Sequence, residues 1–139
     1  MSQFKFSVGP WNVHPGADSY GPATRADIPA EEKYKKFAEL GFSAVQFHDD
    51  DAVPNINDYT EEEIREKARE LKKTLDKYNL KAEFVAPRLW MDEHTQDGGF
   101  MSTSKEDREY AMWRAYRSID IANELGTDMI VLWLAREGT

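Results

Sequence analysis

The sequence predicts an α/β fold of parallel β/α units, on three observations. Short apolar runs alternate with longer segments of helical period. Two of the helical segments end in the same grammar, "AELGFSAVQF" at 38–47 and "NELGTDMIVLW" at 123–133, each a helix end, Glu-Leu-Gly and an apolar run. The second apolar run ends abruptly in polar groups, "AVQFHDDD" at 44–51. Strands that alternate with helices pair in parallel through right-handed crossovers.

The elements follow in order. "FKFSVG" (4–9) reads as the first strand, and the Gly- and Pro-rich stretch at 9–29 as a long loop. Pro29 opens a helix whose stripe is Tyr34, Phe37 and Ala38, with Gly41 as its stop. "SAVQF" (43–47) is the second strand. Thr60 and Glu63 have capping-box spacing, and Ile64, Ala68, Leu71, Leu75 and Tyr78 mark one face of the helix that follows. "KAEFVAP" (81–87) is the third strand. Ser104 caps a helix with the stripe Met112, Ala115, Tyr116, Ile119, Ala122 and Leu125, stopped by Gly126. "DMIVLWL" (128–134) is the fourth strand.

Composition narrows the function. The chain has 139 residues, 40% of them hydrophobic and 32% charged, enough for one globular domain with a core. Its 18 basic and 26 acidic residues give a net charge of −8. That predicts no nucleic-acid partner and no anionic membrane surface, because both need a basic face. No cysteine is present, which excludes disulfides and thiolate chemistry. The opening "MSQFKF" has no apolar run of signal-peptide length. No segment approaches the ~20 apolar residues of a membrane span. A cytoplasmic location is the expectation.

Four β/α units fit either an open doubly wound sheet or part of a (β/α)8 barrel. A whole barrel needs about 250 residues. No helix follows the fourth run to cover it, which favours the barrel reading: residues 1–139 as one domain carrying the first four strands, truncated after the fourth.

In such folds function collects at the carboxyl ends of the strands. Those ends hold Trp11 and His14, then His48 with Asp49, Asp50 and Asp51, then Arg88 and Trp90, then Trp133, Arg136 and Glu137. Indole faces stack on sugars, while imidazole and carboxylate groups bind hydroxyls, so this rim suits a small polyhydroxylated ligand. Trp90 and Trp133 can equally fill a barrel top. His14 and His94 read as solvated loop histidines, and Trp113 as packing. The aspartate run suits a hard divalent cation by ligand type. It lacks EF-hand spacing, however, and successive carboxylates point to different sides, so no metal ligand is assigned. A His48–Asp51 pair is preferred: a carboxylate on the imidazole N–H fixes the tautomer and raises its basicity.

"FHDDD" (47–51) with "VP" (53–54), "GPATR" (21–25), "DGGF" (97–100) and "REG" (136–138) resembles, in order and spacing, the xylose isomerases, and the similarity runs along essentially the whole chain. That resemblance implies a metal-dependent TIM barrel, usually oligomeric, that interconverts aldoses and ketoses. It implies that His48 helps open the sugar ring, that Asp51 orients it, and that Trp11 and Trp133 wall the sugar pocket, with Trp90 as a further substrate-binding aromatic where the family commonly has phenylalanine. It places Tyr20 where an aromatic reaches a neighbouring subunit's site. Leu134-Ala135 before "REG", and Arg88, depart from the family pattern and bear on which sugar fits. The family's metal ligands lie on strands five to eight. A divalent Mg, Mn or Co ion is therefore implied for a full-length parent, and none for this chain alone, which would carry the ring-opening half. The implied partners are a sugar substrate and either further copies of the chain or a carboxyl-terminal half. Two alternatives stand beside this one. One is an independent, self-associating half-barrel without activity. The other is a different metal-dependent sugar epimerase or isomerase of the same superfamily.

Overall fold

The computed structural model describes residues 4–17, 20–134 and 137. Three strands form one parallel sheet in the order β1 (Ser7–Val8), β2 (Ala44–His48), β3 (Lys81–Ala86). Ser7 pairs with Ala44, and Ala44 with Lys81. Among the described residues four α-helices accompany them: α1 (Ala30–Glu39), the single turn α2 (Asp49–Ala52), α3 (Glu61–Lys77) and α4 (Lys105–Leu125). Alternating β/α order with strands in sequential neighbours is a partial TIM barrel whose sheet is not closed.

The three long helices end in one device. Gly41, Asn79 and Gly126 each take a left-handed conformation, with φ of 87°, 55° and 77°. In each case the next residue's N–H returns to a carbonyl five residues back: Phe42 to Phe37, Leu80 to Leu75, Thr127 to Ala122, at 3.0–3.1 Å. This Schellman closure satisfies carbonyls the helix leaves open and turns the chain back toward the sheet. It is the physical content of the repeated Glu-Leu-Gly ending. At the other end of α3 the Thr60–Glu63 capping box is formed, with Glu63 accepting the Thr60 N–H at 2.8 Å.

The core lies between the sheet and the helices. Val45, Phe47 and Val85 meet Tyr34 and Phe37 of α1, Ile64 and Leu75 of α3, and Ile121 and Leu125 of α4. The Phe47 ring stands edge-on to Tyr34 at 6.0 Å. Between the Val45–Ala82 and Phe47–Val85 pairs, two residues of β3 oppose one of β2, a bulge. On the helix-free side Glu83 accepts hydrogen bonds from Ser7 and from Gln46, the latter at 2.8 Å.

Two expectations need correction. The run 128–134 is not a regular strand. It touches β3 through one bridge, Val85 to Ile130, with Val85 N–H donating to Met129 at 3.2 Å and Val131 N–H to Val85 at 3.1 Å. Thr127 ties the same stretch to the Glu83 carbonyl at 2.6 Å. Among the described residues no strand lies beyond it. The segment nonetheless sits in the fourth position of the sheet. The second correction concerns α4. Its buried face carries Ala111, Arg114, Arg117, Ser118 and Ile121 together with Ala122 and Leu125. Met112, Tyr116 and Ile119, expected in the core, are exposed. The helix is rotated because its polar side has partners: Asp49 behind Arg114, and Glu61 of α3 beside Arg117.

Candidate functional site

The site is built at the carboxyl end of β2. The strand delivers a buried His48, and the chain turns at once into α2, so Asp51 lies one helical turn on and faces back. Asp51 Oδ2 accepts the His48 backbone N–H at 3.2 Å and lies 2.8 Å from His48 Nδ1. Burial pushes the Asp51 carboxyl up, but the hydrogen bond from His48 and the Arg88 guanidinium outweigh it and hold it below its ordinary value. An ionised Asp51 only accepts, so the shared proton belongs to Nδ1, and Nε2 is left as the basic nitrogen.

Aromatic rings enclose that imidazole. Trp11 lies 4.4 Å from it between ring centroids, Trp90 stands edge-on at 5.2 Å, and Trp133 lies 5.5 Å beyond Trp90. The structure thus joins His48, Asp51, Trp11, Trp90 and Trp133 in one contiguous cluster. Gly9 makes room for Trp11: a Cβ there would fall 2.1 Å from the indole ring. Tyr20 stands apart in kind, 99% exposed in the loop before α1. His14 is exposed and its Nδ1 accepts the Gly16 N–H at 3.0 Å. Arg136 lies outside the described residues.

Sequence reasoning missed the support beneath the cluster. Asp49 is 0% exposed and takes both arms of Arg114, itself 2% exposed, at 2.6 and 2.7 Å. The same carboxylate accepts the backbone N–H of Asp50 at 2.9 Å and of Arg88 at 3.0 Å, tying the ends of β2 and β3 together. Burial works against the charge on Arg114, and the Asp49 hydrogen bonds more than offset it. Arg114 also meets Asp92 at 3.2 Å, and Tyr110 donates to Asp92 at 2.6 Å. An arginine in mid-helix reads as a solvated residue. The only sequence signal for its burial was that more carboxylates cluster after Phe47 than solubility requires.

His48, Asp50 and Asp51 can bring one ligand atom each to within 4.8 Å of one another. They do not fit a resident divalent ion. Arg88 holds Asp50 at 2.8 Å and Asp51 at 2.7 Å, and Asp51 is engaged with His48. One guanidinium and one imidazole already engage three of the four carboxylate oxygens, and the guanidinium supplies the positive charge a cation would bring. Burial raises the Asp50 carboxyl, partly opposed by Arg88.

Sequential parallel β/α units with a His–Asp pair among aromatic rings at the strand ends define a barrel-type protein. The family model for xylose isomerase-like TIM barrels matches residues 34–138, and the chain belongs to that family. Among solved structures, the crystal structure of AP endonuclease, family 2 from Brucella melitensis superposes with a TM-score of 0.54 at 16% identity. The alignment covers 91% of this chain and 39% of that one, so the present chain spans well under half of that relative's length. At that identity the likeness is one of fold.

Proposed function

We propose that this chain carries the ring-opening half of an aldose–ketose isomerase site, with a small sugar as substrate. The observation that supports it best is the His48–Asp51 pair at 2.8 Å beneath Trp11 and Trp90. In the proposed step Nε2 of His48 takes the proton from the anomeric hydroxyl. The O1–H electron pair closes a C1=O1 carbonyl as the C1–O5 bond breaks with its electrons on the ring oxygen, and the imidazolium, stabilised by Asp51, returns the proton to O5. Trp11, Trp90 and Trp133 offer faces to the sugar and exclude water. Any divalent ion that assists the later hydride shift would be held by residues of a longer parent, since the triad here is matched by Arg88. Tyr20 would serve a neighbouring subunit, and residues 1–139 would act as one domain joined to further copies or to a carboxyl-terminal half. The solved relative is an AP endonuclease, which offers an endonuclease instead, but a net charge of −8 is a poor match to a phosphate backbone.

Ring opening alone interconverts sugar anomers, so the test needs no metal and no ketose. Polarimetry of freshly dissolved α-xylose or α-glucose with the chain should show mutarotation faster than buffer, and His48→Gln should lose about 10²–10⁴-fold of that acceleration, the usual size of a general-base contribution. Equal rates for the two proteins would sink the reading.

A further inference from the structure

Two motifs of the sequence, "DGGF" at 97–100 and the glutamate of "REG" at 137, have no role in the ring-opening step, yet they meet. One oxygen of the Glu137 carboxylate accepts the Gly99 N–H at 3.1 Å and the Phe100 N–H at 2.7 Å; the other accepts the Met101 N–H at 2.8 Å. Three successive backbone N–H groups thus cradle one side-chain anion, a nest geometry. The glycines permit it. Gly98 has φ of +106°, and a Cβ at Gly99 would come 3.1 Å from Glu137 Oε1 and 3.2 Å from the Ala111 Cβ.

The position of this clasp matters. Val131 donates to Val85, the last backbone bond from this stretch to the sheet among the described residues. From there the chain runs through Trp133 without a strand partner. Beyond the Trp133 ring contact, Glu137 is the next described residue fastened to another part of the fold, the loop that follows Trp90. Leu89, Trp90, Gly99, Trp133 and Glu137 line one small common pocket.

We infer that Glu137 is a positioning residue: its carboxylate, held by the 99–101 amides, fixes Trp133 against Trp90 and so sets the far wall of the aromatic box. The wall bounds the sugar site proposed above, on whose reading the functional half of the expectation rests.

Two indoles 5.5 Å apart and inclined by 41° should give an exciton couplet in far-ultraviolet circular dichroism. Trp133→Phe defines the signal without it. Glu137→Ala and Gly99→Ala attack the clasp from opposite sides, and both should reduce the couplet to the Trp133→Phe level with helix content unchanged. Glu137→Gln should retain part of it, because its carbonyl can still serve Gly99 and Phe100 while its amide faces the Met101 N–H. A couplet that survives Glu137→Ala overturns the assignment. So does a couplet lost only together with the helical signal in both Ala variants, which would make Glu137 a general stability residue. Mutarotation on the same proteins separates the two readings. A lost couplet with a lowered rate supports both clasp and wall. A lost couplet with an unchanged rate leaves the clasp standing and removes Trp133 from the sugar site.

Discussion

Asp50 and Asp51 are adjacent in the chain and opposite in their electrostatics. Burial lifts Asp50, while His48 and Arg88 together hold Asp51 down. The consequences for stability have opposite signs. A carboxyl lowered on folding contributes stability above its unfolded value, which is lost as pH falls through the folded one. A carboxyl raised on folding opposes folding once it must ionise. Asp51→Asn should therefore lower the melting temperature relative to the parent more at about pH 7 than at about pH 3. Asp50→Asn should compare better with the parent at neutral pH than in acid. Melts at the two pH values check both signs, and matching trends would refute the assignment. Beneath them, Arg114→Met strands a fully buried Asp49 charge and should cost about 3–5 kcal/mol in urea unfolding. Adding Asp49→Asn should restore part of that loss, since the two changes share one interaction. A simple sum of the single effects would argue against a buried pair.

At the scale of elements, the helix ends were legible because they depend on local chemistry. Gly41 and Gly126 announce a left-handed closure, and Thr60 with Glu63 announces a cap. Asn79 does the same work as the two glycines less visibly, being a residue that tolerates φ > 0 without advertising it. Gly126→Ala should cost about 1–2 kcal/mol through the left-handed strain, whereas Asn79→Gly should be near neutral; thermal melts of both check the contrast. The orientation of α4 was not legible, because it depends on partners distant in sequence. Its apolar stripe and its buried face differ, and only the fold reveals that Asp49 and Glu61 wait on the polar side. The His48–Asp51 contact was readable because a carboxylate close in sequence can take the imidazole N–H and fix its tautomer. Arg88 across the carboxylates, and Arg114 below them, were not.

For the whole molecule, the unanswered surface is apolar. Phe4 and Phe6 lie exposed beside the β1 edge, Leu132, Trp133 and Leu134 beside the opposite edge, and Met112, Tyr116 and Ile119 on α4. Unpaired strand edges beside apolar side chains invite association. Sedimentation at micromolar concentrations is expected to show assemblies larger than the 16.0 kDa chain. Met112→Lys with Ile119→Lys should weaken them by at least ~3 kcal/mol, roughly 100-fold in Kd, if both side chains are buried there. The melt of the fold itself should hardly change. A concentration-independent monomer with the native sequence would contradict this.

The spacing of the rungs has a consequence in time. Ser7 meets Ala44, and Ala44 meets Lys81, each 37 residues on; Val85 meets Ile130, 45 residues on. Among the described residues no pairing is a hairpin, so none of these can form until a whole crossover has been made and folded back. At a ribosomal pace of ~5–20 residues per second, each 37-residue interval lasts about 2–7 s. During the first of them, the segment that becomes β1 waits for β2. The nascent chain therefore leaves Val8, which packs against the core in the folded protein, without its β2 partner for seconds at a stretch.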